Sequence, residues 1–196
     1  MPTASEGQIV MDATAVEAAL ERLASEIHSA SPPGSPTVLV GIHRRGVELA
    51  RRLSALLERL AGAPVPTGSL DITLYRDDFR QVGPLPLVGT TELPGEVTGS
   101  RVVLVDDVLY TGRTVRAALN ELADFGRPSR VELCVLVDRG GRELPIQPDY
   151  VGTRVEVPPG REVAVRVPEL DGELAVDLVP VAGDGSPAGT VEAAGG

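Results

Sequence analysis

Residues 102–119 read VVLVDDVLYTGRTVRAAL, and the order of chemistry within them decides the fold. The first four are apolar and mostly β-branched, a run too short for a helix and suited to a strand buried on both faces. Two carboxylates, Asp106 and Asp107, follow at once, at the expected carboxyl end of that strand, where open α/β sheets place their ligand crevice. Val115, Ala118, Leu119 and Leu122, closed by Gly126 and Pro128, then predict a helix.

Between carboxylates and helix stand Val108, Leu109, Tyr110, Thr111, Gly112, Arg113 and Thr114. Gly112 lets the backbone turn tightly, Thr111 and Thr114 offer hydroxyls, and the helix start offers unpaired N–H groups. Together they make an anion nest whose natural guest is phosphate. The adjacent carboxylates repel a bare phosphate and need sugar hydroxyls or a divalent cation as partners. One ligand carrying all three satisfies the whole stretch.

VVLVDDVLYTGRT resembles the signature with which type I phosphoribosyltransferases bind 5-phosphoribosyl-1-pyrophosphate, PRPP. The wording DDVLYTGRTVRAAL, with DITLYRDD upstream and VDRGGRELP downstream, resembles the group of bifunctional pyrimidine operon regulators and uracil phosphoribosyltransferases. The likeness spans residues 38–152 and continues more weakly outside them. It implies an α/β fold of the type I phosphoribosyltransferase kind: a central, mostly parallel sheet flanked by helices, with a small hood and a flexible loop. It also implies displacement of pyrophosphate from C1 of PRPP by uracil N1 to give UMP, with Mg²⁺ carried by PRPP.

Roles follow from the resemblance. Asp106 and Asp107 hold ribose hydroxyls or metal-bound water. Val108 to Thr114, taken residue by residue as above, receive the 5′-phosphate. Arg44 and Arg45, in the loop His43-Arg44-Arg45-Gly46, receive pyrophosphate together with Arg76 of the flexible loop. Val137, Asp138 and Arg139 face the base. No dedicated general base stands out; Asp107 or solvent is the candidate. The group's second role, control of pyrimidine operon expression by uridine-nucleotide-dependent binding of an mRNA leader, points to Arg22, Arg142 and Arg154, beside the uncharged or acidic Glu21, Gln147 and Thr153. The alternatives are a relative that catalyses or senses nucleotides without binding RNA, and one acting on another base such as a purine. The resemblance implies a homodimer or homotetramer.

Composition narrows the field independently. All 18 basic residues are arginine, which excludes a lysine-dependent phosphate loop and Schiff-base chemistry. The net charge of −10 is uneven: residues 41–148 are neutral overall, whereas the segments before and after them are acidic. RNA would meet a repulsive overall field, so any contact must be local. Cys134, the one cysteine, excludes an intrachain disulfide and reads as strand core within VELCVLV. With no basic stretch before an apolar run and no apolar run approaching 18 residues, a cytoplasmic location is expected.

In chain order, residues 1–11 are expected to be a short arm, and Asp12 caps a helix to Ser29 with Val16, Leu20, Leu23 and Ile27 on one stripe. TVLVGI, residues 37–42, reads as the first buried strand. A helix over residues 47–60 turns Leu49, Leu53, Leu56, Leu57 and Leu60 inward. Residues 65–75 alternate as a strand, with Leu70, Ile72 and Leu74 opposite Asp71 and Thr73. Residues 76–100 lack periodicity and are rich in glycine and proline, as expected of a lid. VAVRV and LAVDLV extend or flank the sheet. A single domain over 1–180 is expected, with 181–196 a loose tail.

Overall fold

A computed structural model describes residues 7–32, 34, 36–72 and 90–181. In chain order the elements are β1 (Gln8–Met11), α1 (Ala13–Ser29), β2 (Thr37–Ile42), α2 (Arg45–Ala61), β3 (Thr67–Leu70), β4 (Arg101–Leu109), α3 (Arg113–Phe125), β5 (Arg130–Asp138), β6 (Tyr150–Arg154), β7 (Arg161–Arg166), α4 (Pro168–Asp171) and β8 (Ala175–Pro180). Five strands form a wholly parallel sheet in the order β3-β2-β4-β5-β6. A separate antiparallel sheet, β1-β8-β7, joins the beginning and end of the described chain.

β4 holds the centre because its apolar residues serve both faces. Val103 and Val105 pack into one core with Leu39 of β2, Leu49, Leu53 and Leu57 of α2, and Leu20, Leu23 and Ile27 of α1. Val102 and Leu104 pack into the other with Val115, Ala118 and Leu122 of α3. Period-two alternation in a doubly covered strand requires this division. α1 starts where expected: the Asp12 carboxylate accepts from Ala15 N at 2.9 Å. Cys134 is buried in β5, and burial pushes its thiol up to about 12, so it is inert core.

Several expectations change. β4 runs on to Leu109, so Asp106 and Asp107 belong to the strand's last half instead of following it. Residues 8–11 of the supposed arm form a strand that pairs with β8, and VAVRV and LAVDLV build this second sheet without extending the first. Leu60, at the last turn of α2, and Leu119 of α3 are exposed, because helical positions at the margins of an apolar stripe overhang the core. β3 ends at Leu70, and Asp71 is buried like Leu70 and Ile72. Residues 73–89, with Arg76, Leu74, Thr73 and most of the expected lid, lie outside the described residues, as do 182–196 of the expected tail. Of the remaining lid, Val97 and Ser100 are buried, and Glu92 bridges to Ser69 at the edge of β3.

Candidate active site

The site is assembled where β4 meets the first turns of two helices. Gly46, in the first turn of α2, lies against the β4 backbone so closely that a Cβ there would stand 2.4 Å from the Val105 carbonyl oxygen. This contact carries the Arg44-Arg45 loop to the strand position just before the acidic pair. Asp106 is buried and Asp107 half-buried. Each carboxylate accepts the N–H of the residue after it: Asp107 N donates to Asp106 Oδ1 and Val108 N to Asp107 Oδ1, both at 3.0 Å.

These local bonds accompany a slip in the strand's alternation. Val105 and Val108, three residues apart, pack into the same core, as do Leu104 and Leu109, five apart, on the other side. Regular alternation would put each pair on opposite faces. The slip falls at the two aspartates.

Beyond Leu109 the chain turns into α3. Gly112 stands at the helix N-cap with φ +92°, in the left-handed region that favours glycine, and it has no side chain to cap the first turn. Thr111 Oγ1 accepts from Arg113 N at 3.3 Å. A cavity of about 300 Å³ opens here, lined by Asp106, Val108, Leu109, Tyr110, Thr111, Gly112, Arg113 and Thr114. The chain thus brings a carboxylate, two hydroxyls and a helix N-terminus to one concavity, a combination able to hold both ends of a phosphorylated sugar.

The segment after β5 braces this loop. Arg139 N donates to Leu109 O (3.1 Å), Arg142 Nη1 to Tyr110 O (3.0 Å), and Glu143 N and Leu144 N both to Thr111 O (3.0 and 3.1 Å). The Arg139 guanidinium lies 4.0 Å from the centroid of the Tyr110 ring, and Arg113 pairs with Glu143 at 2.7 Å. Asp138 Oδ1 accepts from Gly140 N (3.0 Å) and from Arg142 Nη2 (2.7 Å), and Val137 is fully buried behind it. Asp138 therefore organises its own loop, while Arg139 stacks beside the cavity.

The pyrophosphate candidates are placed differently. Arg44 is exposed at the N-cap of α2, and its peptide bond with His43 is cis. Arg45 forms a two-pronged pair with Asp171 of α4, Nη2 to Oδ1 at 2.8 Å and Nε to Oδ2 at 3.2 Å. Hydrogen bonding from Arg45, opposed by burial and helped by Val167 N and nearby arginine charge, holds the Asp171 carboxyl below its ordinary value. The residues assigned to RNA gather around β6. Arg22 donates to the Val151 and Gly152 carbonyls (3.1 and 2.6 Å) and pairs with Glu26, and Arg142 is spent on its own loop and on the Tyr110 carbonyl. Arg154, whose side chain is 77% exposed, stands 3.9 Å from Asp138.

Sequence reasoning missed Asp171, Glu143 and the Tyr110–Arg139 stack. Asp171 lies 126 positions from Arg45 and Glu143 lies 30 from Arg113, so no local pattern links either pair.

The phosphoribosyl transferase domain family matches residues 8–171. The bifunctional protein PyrR of Roseiflexus sp. (strain RS-1) is 51% identical over 163 residues, covering 83% of this chain and 89% of that protein. The protein of the same name from Thermus aquaticus is 51% identical over 169 residues, covering 86% and 93%. Among solved structures, the hypoxanthine phosphoribosyltransferase of Trypanosoma cruzi superposes with a TM-score of 0.67 at 19% identity, covering 90% of this chain and 97% of that one. The hypoxanthine phosphoribosyltransferase of Staphylococcus aureus gives 0.66 at 17%, covering 90% and 93%. These two share the fold. With a family match over most of its length and half of the aligned residues identical to those relatives, the chain belongs to the phosphoribosyltransferase family, in its PyrR group.

Proposed function

We propose that this protein is a uracil phosphoribosyltransferase, forming UMP and pyrophosphate from uracil and PRPP, and that the same site serves as a uridine-nucleotide sensor for control of pyrimidine operon expression through an mRNA leader. The reading rests on one observation above the others: Asp106 and the Thr111–Gly112–Thr114 cradle line a single cavity of about 300 Å³. The name "bifunctional" carried by relatives 51% identical over the aligned residues supports the pairing of catalysis with regulation.

In this reading the cradle anchors the 5′-phosphate through first-turn N–H groups and the hydroxyls of Thr111 and Thr114. The aspartates hold the ribose hydroxyls at the other end. Anchoring both ends fixes C1 between pyrophosphate and the base, and positioning supplies most of the acceleration. Arg44 and Arg45, with Arg76, meet the charge that builds on departing pyrophosphate. Val137, Asp138 and Arg139 border the base, and a pocket that reads hydrogen bonds would separate uracil from cytosine, since a mismatch leaves a buried group unpaired. Asp107 or solvent takes the uracil proton.

Mg²⁺ fits the donors present, which are hard oxygens. The Asp106 carboxylate lines the cavity and the half-buried Asp107 follows it, hard oxygen donors of the kind that accept this ion together with substrate phosphates and water. Asp106 and Asp107 would hold it, directly or through water, where it would neutralise pyrophosphate charge.

Incubation with PRPP, Mg²⁺ and each free base tests the enzyme: uracil should be consumed and UMP formed, and exclusive use of hypoxanthine or guanine would refute the assignment. In the double variant Asp106→Asn/Asp107→Asn, turnover should fall by about 10² or more while the thermal unfolding curve persists. For the regulator, filter binding of a pyrimidine-operon leader should rise with UMP, and no UMP-dependent retention at moderate salt removes that half. A homodimer or homotetramer is proposed with it: the exposed Leu60 and the half-buried Leu56 of α2, between Glu21 and Arg59, offer a face for a second copy to cover. Light scattering checks this. We place the protein in the cytoplasm; among the described residues no helix is long and apolar enough to cross a membrane.

A further inference from the structure

Arg45 begins α2 in the main sheet's layer, whereas Asp171 ends the single turn of α4 that links β7 to β8 in the small sheet. The carboxylate is itself fixed: Asp171 Oδ2 also accepts from Val167 N at 2.9 Å. Two turns further along α2, Arg52 Nη2 pairs with Glu169 Oε1 at 2.7 Å. The spacing of Arg45 and Arg52 on one helical face thus matches two acids two residues apart on α4, and the small sheet is fastened to the helix that carries the Arg44-Arg45 loop. The Arg45–Asp171 pair engages two of the five guanidinium N–H donors, so three remain for another oxyanion.

We propose that Asp171 is a positioning residue for pyrophosphate recognition: it holds the Arg45 guanidinium in one orientation before PRPP arrives. The inference rests on the assignment of Arg45 to pyrophosphate above. A long arginine side chain surrenders much rotational freedom when it binds an anion, and a carboxylate that has already fixed it removes that cost from the binding step. The half-exposed setting of the pair keeps the remaining donors accessible, since the Arg45 side chain is 38% exposed and that of Asp171 19%. The opposite role, a carboxylate that competes with pyrophosphate for Arg45, predicts the opposite change in affinity, so measurement separates the two.

The test is calorimetric titration of the full chain with PRPP and Mg²⁺, which is independent of the base used, followed by steady-state kinetics. Asp171→Asn should weaken PRPP about tenfold and lower kcat as well, with the KM for uracil changed less than about twofold. Arg45→Met should weaken PRPP at least as much, and adding Asp171→Asn to it should weaken PRPP no further, because Asp171 acts through the missing guanidinium. Glu169→Gln, which severs the neighbouring tie only, should leave PRPP affinity unchanged. Equal or tighter PRPP binding by Asp171→Asn overturns the proposal, as does full additivity in the double variant. If Arg45→Met binds PRPP normally, the assignment of Arg45 itself fails and this proposal falls with it. If Arg45→Met is impaired and Asp171→Asn is not, only the positioning role is lost.

Discussion

Gly46 shows how much of a site can depend on one missing methyl group. Any Cβ there meets the Val105 carbonyl oxygen at 2.4 Å, a contact with backbone on both sides that no rotamer change relieves. Gly46→Ala should therefore cost about 1–3 kcal/mol, the usual range for overpacking, and should weaken PRPP as α2 is pushed from β4. Thermal unfolding and PRPP titration check the two effects, and an alanine variant with both unchanged would mean that the approach is looser than described. The two arginines and the glycine were read from the sequence as an anion loop. The reason for the glycine was not, because the atom it avoids belongs to a strand about sixty residues later. Asp171 was hidden by the same separation, whereas Asp106 and Asp107 were legible because their neighbours in sequence are also their neighbours in space.

Strands and helices were read well wherever an apolar run fills a doubly covered strand or a stripe meets a cap, as in β2, β5, α1 and α3. They were misjudged where pairing decides: β4 outlasts its apolar run because β5 continues beside it, pairing Leu109 with Asp138. At the amino-terminal end of the same strands lies a polar cluster that periodicity could not suggest. Arg101, 1% exposed, donates to Glu132 (Nε 3.0 Å, Nη2 2.5 Å), to the Tyr150 hydroxyl (2.8 Å), to Ser31 Oγ (2.7 Å) and to the Ile27 carbonyl (3.2 Å). It ties β4, β5 and β6 to the end of α1. Burial alone would push the Glu132 carboxyl up; the hydrogen bonds from Arg101 and Tyr150 and the charges of Arg101 and Arg130 outweigh it and hold the carboxyl below its ordinary 4.5. A lowered carboxyl stabilises the fold above the unfolded value, and the contribution fades as pH falls through the folded one. Glu132→Gln leaves the arginine's charge uncompensated and should cost about 3–5 kcal/mol at neutral pH. In urea unfolding the gap between wild type and variant should hold from pH 7 to pH 5 and narrow in more acid solution. A gap that widens there would contradict the pairing.

Glu121 of α3 has the reverse sign. Burial, with the nearby charges of Asp71 and Asp124, raises its carboxyl despite the Thr91 hydrogen bond and the His43 charge. A raised carboxyl favours the fold below its unfolded value and loses that advantage as pH rises through the folded one. Glu121→Gln should therefore unfold at higher temperature than wild type at pH 7, with the difference shrinking toward pH 4. A variant less stable at pH 7 would show that the charged form is the one the fold requires.

For the molecule as a whole, the excess of acid sets the terms on which RNA can bind. Arg22 caps the exposed edge of β6 and Arg142 holds the loop after β5, so of the three arginines assigned to RNA only Arg154 presents a largely solvated head. Leader binding should then show a shallow salt dependence, and Arg154→Ala should lower the slope of log affinity against log salt by about one, the share of one phosphate contact. Filter binding across a salt series measures it. Composition announced the overall repulsion; which arginines were already engaged emerged only when the strands were in place.

The brace beneath the phosphate loop has one more result. Leu109, Tyr110 and Thr111 each direct their main-chain oxygen at a donor from the segment after β5. In the proposed reading, the engagement of these three carbonyls leaves the start of α3 to meet the guest with its N–H groups, so a sugar lacking its 5′-phosphate would lose the attraction that anchors it there.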